Sequence, residues 1–160
     1  MRLIVDSLVA VMLSAILAAV VFSNREEKAG QEQVQAARDA IHAITRQIKL
    51  KVALGEVELN ERGHATAIDP EWFEGRLPEN PYVGDGHPWL EIAGVAQIDM
   101  DHPPNRLATD YAVAKFWYNP ANGTVRARVP ATVSDARALA LYNSINDCNL
   151  QKLFDASAPQ

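Results

Sequence analysis

The densest set of potential ligands in this 160-residue sequence is the run DMDHPP, with Asp99, Asp101 and His102; Asp85 and His87 of GDGHP lie nearby in sequence. Oxygen ligands at alternate positions are what calcium takes, which makes Asp99 and Asp101 candidate calcium ligands, although no cofactor is assigned; His87 and His102 are weaker candidates for a transition metal. The EF-hand pattern is absent, and acidic turns of this kind are usually just solvated, which is the first reading of these residues. Histidines 42, 64, 87 and 102 are scattered without an HExxH spacing, no serine sits in GxSxG, and there is no glycine-rich phosphate loop. The single cysteine, Cys148, has no histidine close to it in sequence and cannot form an internal disulfide; a free cysteine of this kind usually packs as a small apolar side chain. No catalytic residue is assigned and the chain is read as a non-enzyme. Asn122-Gly123-Thr124 matches a glycosylation acceptor, but an Asn-Gly hairpin turn accounts for the same residues.

The remaining chemistry lies near the start. Asp6 is the only ionisable side chain from Leu3 to Ser23, a stretch about 30 Å long as a helix, which matches the hydrocarbon thickness of a bilayer. A carboxylate at the centre of a bilayer costs about 2.5–3.5 kcal/mol, so its presence needs a reason. The apolar run from Ser7 to Phe22 is longer than the core of a secretory signal, and AAVVFSN offers no small-x-small cleavage site. Leu8, Val11, Ile16, Leu17 and Val20 are therefore expected to face lipid in a retained anchor. Arg2 on one side and Arg25 and Lys28 on the other nearly balance the flanking charge. A short N-terminal tail before a large soluble part fits an N-in, C-out orientation. The net charge of −5 lacks the basic character of a nucleic-acid binder.

The elements that carry these residues follow from periodicity and punctuation. No proline occurs before Pro70, and Val34, Ala37, Ile41, Ile44 and Ile48 recur at three-four spacing, an apolar stripe expected to pack on the globular head. Arg38, Asp39, Arg46, Gln47 and Lys49 are placed on the opposite face, and Gly55 is the expected C-cap. Only about two heptads are clean, short of a sustained coiled coil. Beyond Gly55 the pattern is of short strands and turns. Glu56–Ile68 reads as a hairpin turning at Asn60–Gly63, and WLEIAGVAQIDM as one or two strands around Gly94. Tyr111–Tyr118 and Thr124–Val129 read as a second hairpin joined by NPANG. Trp72, Phe73, Tyr82 and Trp89 cluster around a proline-rich segment and are expected to pack under its loop; the alternative is an exposed aromatic patch for a partner subunit. Ser134 reads as the N-cap of a short helix ending near Cys148.

The expected fold is α+β: a long N-terminal helix, transmembrane then amphipathic, packed on a small antiparallel β-sheet, with a short C-terminal helix. The expected divisions are 1–24 (transmembrane half of the helix), 25–55 (amphipathic half), 56–154 (antiparallel β head with its C-terminal helix) and 155–160 (flexible tail).

The stretch LIVDSLVAVMLSAILAAVVF, in which ILAA is Ile16–Ala19, resembles the N-terminus of the type IV pilin and type II secretion pseudopilin family. LPENPYVG (Leu77–Gly84) and FWYNPANGTV (Phe116–Val125) are similar to pseudopilin turn-and-strand signatures. The resemblance implies a filament subunit held in the bacterial inner membrane by a single pass, with a periplasmic head and other pilin-like subunits and the secretion or pilus machinery as partners. Asp6 then stands where the family has its characteristic glutamate, which implies a role in assembly through pairing with the positive N-terminus of a neighbouring subunit. The plain alternative is that Asp6 reaches the headgroups or favours the helix N-terminus. Met1 and Arg2 stand where the family carries a glycine and an aromatic residue, so leader cleavage and N-methylation are not carried over. Two other readings remain: a non-polymerising single-pass periplasmic protein, and an anchored calcium-dependent binding module.

Overall fold

Without a proline to break it, and with Gly30 its only glycine, the first part of the chain forms one helix, α1 (Arg2–Leu54). Gly55 ends it at a positive φ of 69°. Its N–H donates to the Val52 carbonyl at 3.1 Å and the Glu56 N–H to the Lys51 carbonyl at 3.1 Å, the paired bonds of a Schellman cap. The computed structural model describes residues 2–132 and 134–154, and the side chains of all these except residues 2–11, 13, 15 and 18. The chain divides into two compact units, Met1–Gln33 and Val34–Gln160.

In the first unit the described large apolar side chains, Met12, Ile16, Leu17, Val20, Val21 and Phe22, are all exposed. Among the described residues no helix is long and apolar enough to cross a membrane. The side chains of Asp6, Leu8 and Val11, assigned from sequence to assembly and to the anchor, lie outside the described residues, as does the tail 155–160.

The second unit is α+β. It holds the C-terminal part of α1, the strands β1 (Leu90–Ile92), β2 (Leu107–Ala108), β3 (Phe116–Asn119), β4 (Thr124–Ala127) and β5 (Val129–Pro130), and the helix α2 (Asp135–Asn146). Strands pair as β1-β3-β4 in one sheet and β2-β5 in another. The expected antiparallel sheet is in fact mixed. β3 and β4 form the antiparallel hairpin read from NPANG, but β1 runs parallel to β3, with Leu90 opposite Phe116, and β2 runs parallel to β5. The physical reason is the connection: residues 93–115 form a crossover long enough to bring the chain back in the same direction, which a tight turn cannot do. WLEIAGVAQIDM yields only β1, because Val95–Gln97 closes into a 3₁₀ turn. The second strand candidate shortens as well, since Ala112 and Val113 donate their N–H groups to the Asp110 side chain and carbonyl.

Alternation along β3 sorts the two faces of the sheet. Phe116 and Tyr118 enter the main core with Val125 and Ala127, with Ala37, Ala40, Ile44 and Ile48 of α1, and with Ala138, Tyr142 and Ile145 of α2. Val34 and Ile41 pack at its margin. Trp117 and Asn119 point the other way, onto the segment 97–100. Gln47, placed from sequence on the opposite face of α1, sits on the flank of the seam instead: half-buried, it donates to the Trp72 carbonyl at 2.7 Å. Arg38, also assigned outward, donates to the Ser144 carbonyl at 2.7 Å. An apolar face this broad draws in the long polar side chains on either side of it, which spacing alone assigns to solvent. α2 begins at Ser134, whose hydroxyl accepts the Arg137 N–H at 3.2 Å.

Candidate functional site

Three buried asparagines fasten loops to strands, and two of them lie in the motifs that carry the family resemblance. Asn80 of LPENPYVG is 2 % exposed. It donates to the Arg128 carbonyl at 2.7 Å and accepts the Tyr82 N–H at 3.1 Å. Asn119 of FWYNPANGTV is fully buried; its amide faces the carbonyls of Gln97, Ile98 and Met100 at 2.7–3.2 Å and its oxygen accepts the Ala121 N–H. Both precede a proline, which holds the asparagine in an extended conformation and frees its side chain to reach a neighbouring strand or loop. Asn146, at the end of α2, exchanges two hydrogen bonds with the backbone of Ala127, so that a side chain occupies the outer edge of β4. For Asn80 and Asn119 the sequence signal is the Asn-Pro dipeptide, which by itself reads only as a turn; nothing local marks Asn146.

A buried arginine joins the same framework. Arg128 is 1 % exposed and donates to Glu91 of β1 at 2.7 Å, to the Asn105 carbonyl at 2.8 Å and to the Ala114 carbonyl at 3.0 Å. A guanidinium with each of its three nitrogens bonded in this way acts as a cross-strand fastener, its desolvation offset by charge-assisted bonds.

The β3–β4 turn is matched closely to the Asn60 turn. Asn60 accepts the N–H groups of Arg62 and His64 and donates to the Pro120 carbonyl. Gly123 has a φ of 70°, and a Cβ there would come within 2.8 Å of His64 Nδ1, so the residue must be glycine for both reasons. Asn122 accepts the Thr124 N–H at 3.0 Å, as an Asn-Gly turn requires.

The proline-rich loop rests on its aromatics. Phe73 and Trp89 meet edge to face at 5.2 Å, Trp89 donates to the Pro78 carbonyl at 3.0 Å, and both pack with Trp72 and Tyr82 against the core.

The ligand candidates do not converge. Asp99 is exposed and Asp101 accepts from the Asn122 amide at 3.1 Å. His102 lies beside the Tyr142 hydroxyl at 3.1 Å, while His87 contacts the Val113 carbonyl at 2.8 Å. Among the described residues no three histidines, cysteines, aspartates or glutamates gather to hold a metal ion. Cys148 is half-buried, with its thiol donating to Asn143 at 3.3 Å and pushed above its usual pKa by burial. A groove of about 470 Å³ lies between α1 and the two turns and is lined by Ile48, Lys49, Val52, His64 and Ala65. Thr45, also on this groove, spends its hydroxyl on the Ile41 carbonyl.

Burial pushes the Tyr118 phenol up to about 12, and its hydroxyl donates to the Ala65 carbonyl at 2.9 Å. Tyr142 and Tyr82 are raised for the same reason. These are structural phenols held neutral in a core. The surface left over is of another kind: exposed apolar side chains on the outward face of α1 and on the loop after β1. Set beside family models, curated proteins and solved structures, the chain matches none of them.

Proposed function

We propose that this chain is a pilin-like structural subunit that assembles with copies of itself or with related subunits into a filament of a type II secretion or type IV pilus apparatus. The observation that carries the reading is the division of labour along α1. Its described N-terminal apolar residues are all exposed, whereas its later stripe of Ala37, Ala40, Ile44 and Ile48 is buried in the head. A helix apolar on all sides needs lipid or other helices around it, and a filament subunit uses both in turn.

The apolar run from Leu3 to Ser23 holds the subunit in the bacterial inner membrane, with the head on the periplasmic side. On assembly, the same surface exchanges lipid for the α1 helices of neighbouring subunits. Asp6 sets the register: disfavoured in lipid, its carboxylate becomes favourable when the positive N-terminus of a neighbour neutralises it in a packed bundle. The head contributes a rigid block. The Asn-Pro motifs that resemble the pseudopilin signatures are its loop fasteners, a role consistent with a building unit presenting fixed surfaces.

The test is Asp6→Ala in the full chain. Membrane insertion, read as resistance to carbonate extraction, is expected to be retained, because a costly charge is removed. Cross-linked oligomers and filaments seen by electron microscopy are expected to disappear. Unchanged assembly in that variant overturns the register role, and a wild-type chain recovered only as a soluble monomer overturns the filament reading itself.

A further inference from the structure

The segment after β1 is built inside out. Its polar residue, Gln97, turns inward and accepts the Trp117 indole N–H at 2.8 Å. Its backbone carbonyls at residues 97, 98 and 100 are gathered by Asn119. Its apolar side chains turn outward: Val95 is 90 % exposed, with Ile98 and Met100 beside it in sequence and also exposed. Hydrogen bonds from the buried face fix this display, so little ordering entropy is lost when something covers it. Asp99 adds negative charge within the display, exposed and with no ion-pair partner among the described residues.

The head carries the complementary surface. On the outward side of α1, Leu50 and Leu54 lie one turn apart and are 47 % and 58 % exposed. Arg46 and Lys49 flank them, exposed and likewise without an ion-pair partner among the described residues. Positions 46, 50 and 54 repeat at four-residue spacing, which makes one continuous strip with Lys49 at its border. The acidic apolar loop covers the Trp117 face of the sheet, whereas α1 packs on the Phe116 and Tyr118 face. Two complementary surfaces on opposite faces of one body cannot satisfy each other within a copy. Surfaces so placed can meet only head to tail between copies, and such a contact repeats without closing on itself unless the rotation happens to form a ring.

We propose that the loop 95–100 of one copy docks on the Arg46–Leu54 strip of α1 in the next copy, with Val95 and Ile98 against Leu50 and Leu54 and Asp99 facing Arg46 and Lys49. This rests on the filament reading and names the contact between heads within it. The occupant is a second copy of this chain because both charge and apolar character match within one sequence.

The experiment uses the full-length chain in a Cys148→Ala background, with two differently tagged copies co-expressed in membranes. One carries Val95→Cys and the other Leu50→Cys. Oxidation is expected to give a mixed-tag disulfide dimer. Asp99→Lys in the first copy is expected to lower its yield by about tenfold or more, since like charges then face each other; Arg46→Glu with Lys49→Glu in the second copy is expected to restore it. All three charge changes are on exposed residues, and tryptophan fluorescence checks that the head stays folded. Filaments or oligomers that form without the mixed-tag dimer overturn the docking contact and leave the filament reading standing. Disulfides joining Val95→Cys to Val95→Cys in place of the mixed pair overturn it too, in favour of a symmetric contact. A wild-type chain that forms no assembly overturns both readings together.

Discussion

Replacing Ile44 tests the join between α1 and the head most directly. Its side chain is fully buried in the main core, in the cluster that holds Ile48, Phe116, Tyr118 and Ile145. Ile44→Ala removes three carbon groups, about 2.4 kcal/mol of transfer free energy at about 0.8 per group. A residual cavity adds to this, giving about 3–4 kcal/mol, inside the range of about 2–5 for such truncations. A domain with about 5–15 kcal/mol of stability loses a substantial fraction of it. At about 3–5 °C per kcal/mol for a head of this size, the melting temperature is expected to fall by roughly 9–20 °C. The three tryptophans of the chain, Trp72, Trp89 and Trp117, all belong to the head, so their fluorescence in urea reports the head and not the rest of α1. Arg46→Ala, on the exposed side, is expected to stay within about 0.5 kcal/mol of the parent. Gln47→Ala is expected to cost about 1 kcal/mol through the lost bond to Trp72. Equal midpoints for Ile44→Ala and Arg46→Ala would refute the argument. So would an Ile44→Asp variant that keeps its stability but loses its oligomers, because the stripe would then be a surface between subunits.

Gly123→Ala forces an L-residue to a φ of 70° against the His64 ring and is expected to cost about 1–3 kcal/mol in thermal unfolding, with Gly84→Ala, which meets nothing within 4 Å, as the mild control. Asn119→Ala strips three carbonyls of their donor and is expected to speed limited proteolysis at residues 94–101 severalfold while the remainder of the head resists. The Tyr118 phenol, raised by burial from 10.0 to about 12, keeps its proton more tightly in the folded than in the unfolded chain. Its contribution is therefore complete below pH 10 and lost as pH rises from 10 through 12, at up to about 1.4 kcal/mol per pH unit. Urea midpoints measured across that window are expected to fall, and Tyr118→Phe to lessen the fall, the part due to Tyr142 and Tyr82 remaining; a midpoint that rises with pH would reverse the sign.

Sequence alone determined the elements whose signals are local. The long proline-free run and Gly55 specified α1 and its cap, Ser134 specified the start of α2, and Asn-Gly inside NPANG specified the β3–β4 hairpin, because each rests on interactions between residues a few positions apart. The three-four spacing also picked out Ala37, Ile44 and Ile48, since a helical stripe points one way whatever it meets. Tertiary structure decided what depends on partners distant along the chain. Strand direction was one such matter: β1 runs parallel to β3 because of how residues 93–115 return, which no local pattern encodes. Asn80 and Asn119 were another, since an asparagine before proline reads as a turn until a neighbouring carbonyl comes within reach of its amide. Gln47 and Arg38 were assigned outward by spacing and drawn in by Trp72 and Ser144. The inverted loop 95–100 runs against composition altogether: only the placement of Trp117 and Asn119 beneath it turns Gln97 inward and leaves Val95 facing solvent.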